Sequence, residues 1–314
     1  MTTLGIEDHP KVFVPKVSVI IPVYNGWNYL KEAIESALAQ TYGNKEVIVV
    51  NDGSQDGGKT AEIARSYGNR IRYFEKRNGG VSSALNCGIR NMTGQYLSWL
   101  SHDDVYYPSK LERQVEFLRR LEKKDVVLYG DFELVDGQSI TLGVRHLEKK
   151  IAENPLRAIL SGCIHGCSTL VGKRVIDAVG LFSETLRTTQ DFDMWLRIYV
   201  KGFPILHIPE VHIKSRLHPE QGQRKLSAVH EIEKRMVYSW AFERLRDEIV
   251  PDAPMIFECL GSNGVNLPLS VIRNAGKRGP GIDLGNVARY KAKVYLYKVV
   301  RRLKKKGILN LPLS

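Results

Sequence analysis

Two short acidic loops stand out by residue type and position. The run Glu46-Val47-Ile48-Val49-Val50-Asn51 is followed by Asp52-Gly53-Ser54, and the run Gln95-Tyr96-Leu97-Ser98-Trp99-Leu100 by Ser101-His102-Asp103-Asp104. Each run is short, β-branched or aromatic, and bounded by turn formers, the pattern of a strand in a helix-covered sheet. Ligands of such sheets sit at the carboxyl ends of the strands. Carboxylates placed there cost stability unless they hold something. A nucleotide with a divalent cation suits them, because Mg²⁺ and Mn²⁺ take oxygen ligands from one or two carboxylates and from phosphate.

The elements that must position these loops alternate regularly. Strands are expected at 17–23, 46–51, 71–74, 95–100 and 125–134, and helices at 27–40, 57–67, 81–91 and 108–121. Leu30, Ile34, Ala37 and Leu38 recur at helical spacing, and Pro108 is comfortable in a first turn. Strand–helix repeats of this kind predict a mostly parallel, helix-covered α/β sheet. Beyond 134 the rhythm loosens: helices at 155–160 and 173–179, a strand at 168–171, a helix opening at Asp191, and strand-like runs at 204–208 and 211–216. After 226 the pattern is helical, interrupted by a loop-rich stretch at 251–268 and ending in a helix at 286–306.

Composition narrows the classes. At 314 residues with 43% hydrophobic residues and no low-complexity tract, the chain can bury a full core. Residues 1–16 lack the charged and apolar regions of a secretory signal, and no apolar stretch approaches the roughly 20 residues that span a bilayer. A cytoplasmic protein is expected. Four cysteines suit a reducing compartment; Cys163-Ile164-His165-Gly166-Cys167 matches no common zinc spacing. The net charge is +12, and from Arg289 on the chain carries Lys291, Lys293, Lys298, Arg301, Arg302, Lys304, Lys305 and Lys306 with no acid. Interleaved with Tyr290, Val294, Tyr297 and Val300, these make a basic amphipathic helix suited to an anionic membrane surface. A solvated or partner-packing helix fits the same residues. No nucleic-acid motif accompanies the charge.

Five segments, in order, resemble the inverting family 2 glycosyltransferases, whose catalytic domain has the GT-A fold. They are VSVIIPVYN (17–25), VNDGS (50–54), NGGVSSALN (78–86), SHDD (101–104) and QDFDMW (190–195). The resemblance covers residues 17–223. It implies a GT-A nucleotide-sugar-binding domain at 15–225, with a helical C-terminal extension and basic tail at 226–314. It also implies transfer of a sugar from a nucleotide-diphosphate donor, a UDP-sugar first, to a glycan or lipid-linked acceptor, with Mn²⁺ or Mg²⁺ as cofactor. The alternatives are a nucleotide-sugar-binding protein without turnover and a nucleic-acid-binding protein using the basic tail. It is that tail that adds the expectation of peripheral contact with the inner face of the membrane.

Carried over residue by residue, the donor site comprises Pro22, Val23, Tyr24, Asn25, Asp52, Asn78, Gly80, Asp103 and Asp104, with Asp52 on the base. Asp52 taken alone reads first as a turn former, and Asp103-Asp104 can be a helix cap, but the other motifs outweigh both readings. Asp103 and His218 are the implied metal contacts, and His165 and Gly166 the acceptor contacts. An inverting displacement needs one carboxylate to take the acceptor proton. The family draws it from a Glu-Asp pair that here reads Gln190-Asp191, so Asp191 is the implied base and Asp193 the alternative. Asp193 and Arg197 are four apart on a helix and can simply pair. Ser101 departs from the family's Asp-X-Asp motif and removes one charge from the metal loop.

Overall fold

The computed structural model describes residues 13–221 and 225–245. Strand β1 (Val17–Val23) is buried at every residue and β2 (Lys45–Asn51) from Val47 onward. Continuous apolar runs of this kind belong to strands covered on both faces. β1 pairs in parallel with β2 and with β4 (Tyr96–Trp99), and β2 with β3 (Arg72–Glu75). The crossovers are α1 (Trp27–Leu38), α2 (Lys59–Arg65) and α3 (Val81–Asn91). α1 buries Leu30, Ala33, Ile34 and Ala37, one apolar stripe; truncating Leu30 to alanine there would cost about 2–5 kcal/mol. Because β1, β2 and β4 run the same way, the loops that leave them gather at one edge of the sheet.

The sheet becomes mixed past β4. β5 (Val105–Tyr106) leads into α4 (Lys110–Arg120), and β6 (Val127–Val135) forms a hairpin with β7 (Thr141–Arg145). There follow α5 (Lys149–Ala152), α6 (Pro155–Leu160), β8 (Leu170–Gly172), α7 (Lys173–Val179), α8 (Gln190–Val200), β9 (Ile205–Arg216) and α9 (Ser227–Arg244). The nine strands of the described residues form one sheet, in the order β3-β2-β1-β4-β8-β6-β9-β5 with β7 on β6. β8 runs antiparallel to β4 and β6, whereas β6 and β9 are parallel. The α/β architecture expected from sequence is present, parallel on the N-terminal side and mixed beyond it.

Three details differ from the sequence expectation. The runs 204–208 and 211–216 are one strand, β9, whose register against β6 shifts around Asp131. Pro209, with no N–H to give, falls at that irregularity. β5 is two residues long and leaves no periodic trace. β7 carries its apolar Leu142 and Val144 exposed at 57% and 44%, so burial gives no pattern to read.

The helical stretch after 226 packs the second half of its first helix into the core. Val237, Tyr238 and Ala241 of α9 and the following Leu245 are buried with the rest, and the Tyr238 hydroxyl donates to the Leu160 carbonyl at 2.6 Å. No helix among the described residues is long and apolar enough to cross a membrane. The expected loop-rich stretch at 251–268, the helix at 286–306 and the basic run lie outside the described residues.

Candidate active site

Asp52, at the end of β2, is buried and organises the turn at 76–80. Its carboxylate accepts the Gly80 N–H at 2.7 Å, takes the Gly79 N–H on both oxygens at 3.1 Å, and pairs with Lys76 Nζ at 2.7 Å. Asn78 Nδ2 donates to the Asp52 carbonyl at 3.0 Å. Gly80 holds φ +89°, which aims its N–H at the carboxylate and which a side chain would resist. At the start of α2, whose cap position is Gly58, Asp56 Oδ2 accepts the Thr60 N–H at 3.1 Å. Pro22 and Val23 are buried beside this turn, and Tyr24 is 43% exposed. Asn25, at φ 50°, accepts the Gln55 N–H at 2.7 Å and donates its own N–H to Ser54 Oγ at 2.9 Å, so it ties the β1 loop to the β2 loop.

The loop after β4 holds two carboxylates whose acidities shift in opposite directions. Asp103 Oδ2 accepts from His218 Nε2 at 2.9 Å. Burial pushes Asp103 upward, but the His218 hydrogen bond and nearby His102 outweigh it, and its carboxyl lies below the ordinary 3.8. Asp104 is driven the other way: burial, then the charge of Asp103, raise it to about 8. Asp103 is thus biased toward the ionised form and Asp104 toward the protonated one. The His102 ring lies against the β1 loop, where a Cβ on Gly26 would come within 2.2 Å of its Cδ2.

Arg216 is the residue that sequence reading missed here. It is buried, with Nε donating to the Asp103 carbonyl at 2.8 Å and its backbone N–H to Asp104 Oδ1 at 2.9 Å. Its guanidinium pairs with Glu32 at 2.5 Å, donates to Ser139 Oγ at 2.8 Å and lies 4.5 Å from the Tyr29 ring centroid. One side chain thus joins the acidic loop, α1 and the β6–β7 turn. Its position two residues before His218 was the only signal available.

His165, Asp104 and Cys167 bring three ligand atoms within 4.8 Å of one another. Their chemistry does not suit Mn²⁺ or Mg²⁺. His165 Nδ1 accepts the Cys167 N–H at 3.2 Å, so Nε2 carries the proton, 3.0 Å from Ser215 Oγ. Burial raises the Cys167 thiol well above its ordinary range, and sulfur is a soft ligand. Asp103 and His218 fit better: an ionised carboxylate and an imidazole already face each other. Gly166 is buried against Trp99, where a Cβ would lie 2.3 Å from Cζ3, and that packing accounts for the glycine.

Asp191 and Asp193 both occupy the first turn of α8, and their surroundings separate them. Asp193 is bound by Arg197, Nη2 at 2.8 Å and Nε at 2.9 Å. The same guanidinium donates to the Val179 and Leu181 carbonyls, so the pair serves packing between α7 and α8. No cation pairs with Asp191 among the described residues; its Oδ1 accepts only the Phe192 N–H at 2.8 Å. Burial raises it to about 6. Gln190 is buried with its Oε1 lacking a hydrogen-bond partner.

Residues 18–180 match the family model described as glycosyl transferase family 2. An uncharacterised glycosyltransferase of Rickettsia felis is 47% identical over 258 residues, 80% of this chain and 43% of that protein. The chain thus spans less than half the length of that relative. TuaG of Bacillus subtilis, named for teichuronic acid biosynthesis, is 28% identical over 210 residues, 65% of this chain and 79% of its own. Among solved structures, S. aureus TarS with UDP-GlcNAc superposes with a TM-score of 0.60 at 18% identity, covering 93% of this chain and 92% of TarS. The last likeness is one of fold.

Proposed function

The chain belongs to glycosyl transferase family 2, and from that premise we propose that it transfers a sugar from a nucleotide-diphosphate donor to a hydroxyl of a glycan or lipid-linked acceptor, inverting the anomeric carbon. The contrast between Asp191 and Asp193 carries this reading. Asp193 is neutralised by Arg197, whereas Asp191 is an unpaired carboxylate raised to about 6, suited to taking a proton near neutral pH. The acceptor oxygen bonds to the anomeric carbon as its proton passes to Asp191, and the bond to the diphosphate breaks on the opposite face. The open Gln190 Oε1 suits an acceptor hydroxyl as hydrogen-bond donor.

On the donor side, the base would take the place of Lys76 on Asp52 Oδ1, against Pro22, Val23 and Tyr24, while Asn78 and Gly80 hold the turn open to the donor. Asp103 and His218 would hold Mn²⁺ or Mg²⁺, which when bound offsets charge on the leaving diphosphate. Arg216, whose N–H bonds Asp104 Oδ1 and whose Nε bonds the Asp103 carbonyl, holds the acidic loop in place. His165, held neutral by burial at about 4 and bonded to Ser215 Oγ through Nε2, would contact the acceptor together with Gly166. TarS binds UDP-GlcNAc on a shared fold, which makes UDP-sugars the first donors to test. TuaG's name supports a cell-envelope polysaccharide as product, and the basic run from Arg289 would favour the anionic inner face of the membrane.

The test is calorimetric titration with UDP, dTDP and GDP, each with Mn²⁺ and with chelator. Metal-dependent binding of one nucleotide is expected. Absence of binding by all three under both conditions would overturn the reading.

A further inference from the structure

We propose that Glu233 of α9 is a positioning residue for the transfer, fixing the segment that presents Asp191; this rests on the functional reading above. Glu233 is 5% exposed, and no cation lies within ion-pair distance of it among the described residues. Its hydrogen bonds come instead from three consecutive residues. Oε1 accepts the Arg187 N–H at 2.7 Å; Oε2 accepts the Thr188 N–H at 2.9 Å, the Thr188 hydroxyl at 2.7 Å and the Thr189 hydroxyl at 3.2 Å. Burying a carboxylate is costly without such donors, and here all of them belong to the loop that enters α8.

That loop departs from a local rule in an informative way. Thr189 precedes α8 and is a residue type that normally caps a helix with its own hydroxyl. It makes no such cap; its hydroxyl is turned toward Glu233. The start of α8, and with it Asp191 two residues further on, is therefore oriented by a carboxylate from another helix. His230, one turn earlier on α9, adds a bond from Nδ1 to Thr188 Oγ1 at 3.1 Å. Tyr238 packs its ring on Phe192, centroids 4.7 Å apart, and Phe192 supplies the N–H that Asp191 accepts. α9 thus grips both sides of the base.

The other end of the loop is tied to the donor side. Asn86 of α3 bonds the Phe182 backbone N–H and carbonyl at 3.0 and 2.9 Å, and Ser82 Oγ donates to the Leu186 carbonyl at 3.4 Å. The Arg187 guanidinium lies over Gly80, with Nε 3.5 Å from where a Cβ would sit. Glu233 lies beyond residues 18–180 of the family match and beyond the motifs that end at 223, so neither accounts for its place beneath Asp191.

The experiment compares wild type, Glu233→Ala, Glu233→Gln and Asp191→Asn in the full chain, measuring kcat and KM for the nucleotide-sugar that wild type accepts, with UDP titration as the count of folded sites. A misplaced base costs about 100-fold in rate, so Glu233→Ala is expected to lose about that much kcat while KM and UDP binding stay within about twofold. Glu233→Gln keeps the volume and one acceptor oxygen and should fall between, near tenfold. Wild-type kcat in Glu233→Ala would overturn the proposal, as would a fall in kcat matched by an equal fall in UDP sites. If Glu233→Ala does not fold, Glu233→Gln decides by the same criteria. An active wild type with an inactive Asp191→Asn leaves the functional reading standing whatever Glu233 shows; an inactive wild type removes that reading and this one with it.

Discussion

Replacing Asp191 by asparagine should make the protein less active and more stable at once. An acid whose folded-state pKa is raised is penalised in its ionised form. For Asp191 the penalty is absent below the ordinary 3.8, builds as pH rises toward about 6, and is complete above that. A rise of that size corresponds to about 3 kcal/mol. The side chain is partly exposed, so about 2 kcal/mol is a fairer figure after solvent screening. Asparagine keeps the shape and cannot ionise. At pH 7.5 it should raise Tm by about 4–8 °C, since each kcal/mol is worth roughly 2–4 °C in a domain of this size; by pH 4 the difference should close. Loss of the general base should lower kcat by about 10²–10⁴, and wild-type kcat itself should fall on acidification through about pH 6. Paired kinetics and thermal melts at the two pH values test both halves. Wild-type turnover in the variant would refute the base assignment; an unchanged or lower Tm at pH 7.5 would refute the argument from burial.

Three further outcomes are expected. Asp193→Asn should keep most of the activity and lose about 1 kcal/mol of stability, since it breaks only a part-exposed ion pair; denaturant melts and turnover will separate the two aspartates. Asp103→Asn and His218→Ala should each abolish the gain in UDP affinity on adding Mn²⁺, read by calorimetry against a chelated control. Glu46 is the structural counterpart: burial works against its ionisation, but bonds from Ser18, Thr93 and Arg72 hold it at about 2 instead of 4.5. That stabilisation is present above pH 4.5 and is lost as pH falls toward 2, so Glu46→Ala should lose about 3 kcal/mol at pH 7, with the gap to wild type narrowing in acid-pH melts.

Local residue patterns were enough for the N-terminal half of the fold and for the acidic loops at its strand ends. Buried parallel strands are continuous apolar runs, and their crossover helices carry a 3.6-residue stripe, so β1 to β4 and α1 to α3 could be read without contacts. The acidic loops that follow β2 and β4 were legible for the same reason, because strand ends announce themselves by turn residues. The strands past β4 were less legible: β5 is too short for a period, β7 buries neither face, and the direction of β8 depends on partners distant in the chain.

The states of the site residues were decided only in three dimensions. Asp103 and Asp104 are adjacent and chemically identical, yet one meets His218 and the other is sealed beside it, so their acidities shift in opposite directions. Asp191 and Asp193 share a helical turn, and Arg197 reaches only the second. Arg216 and Glu233 belong to no motif, because their partners lie 112 and 113 residues away in one case and 44 to 46 in the other. A sequence names the groups available for chemistry; which are charged, paired or held in place follows from desolvation and long-range contacts that exist only once the chain has folded.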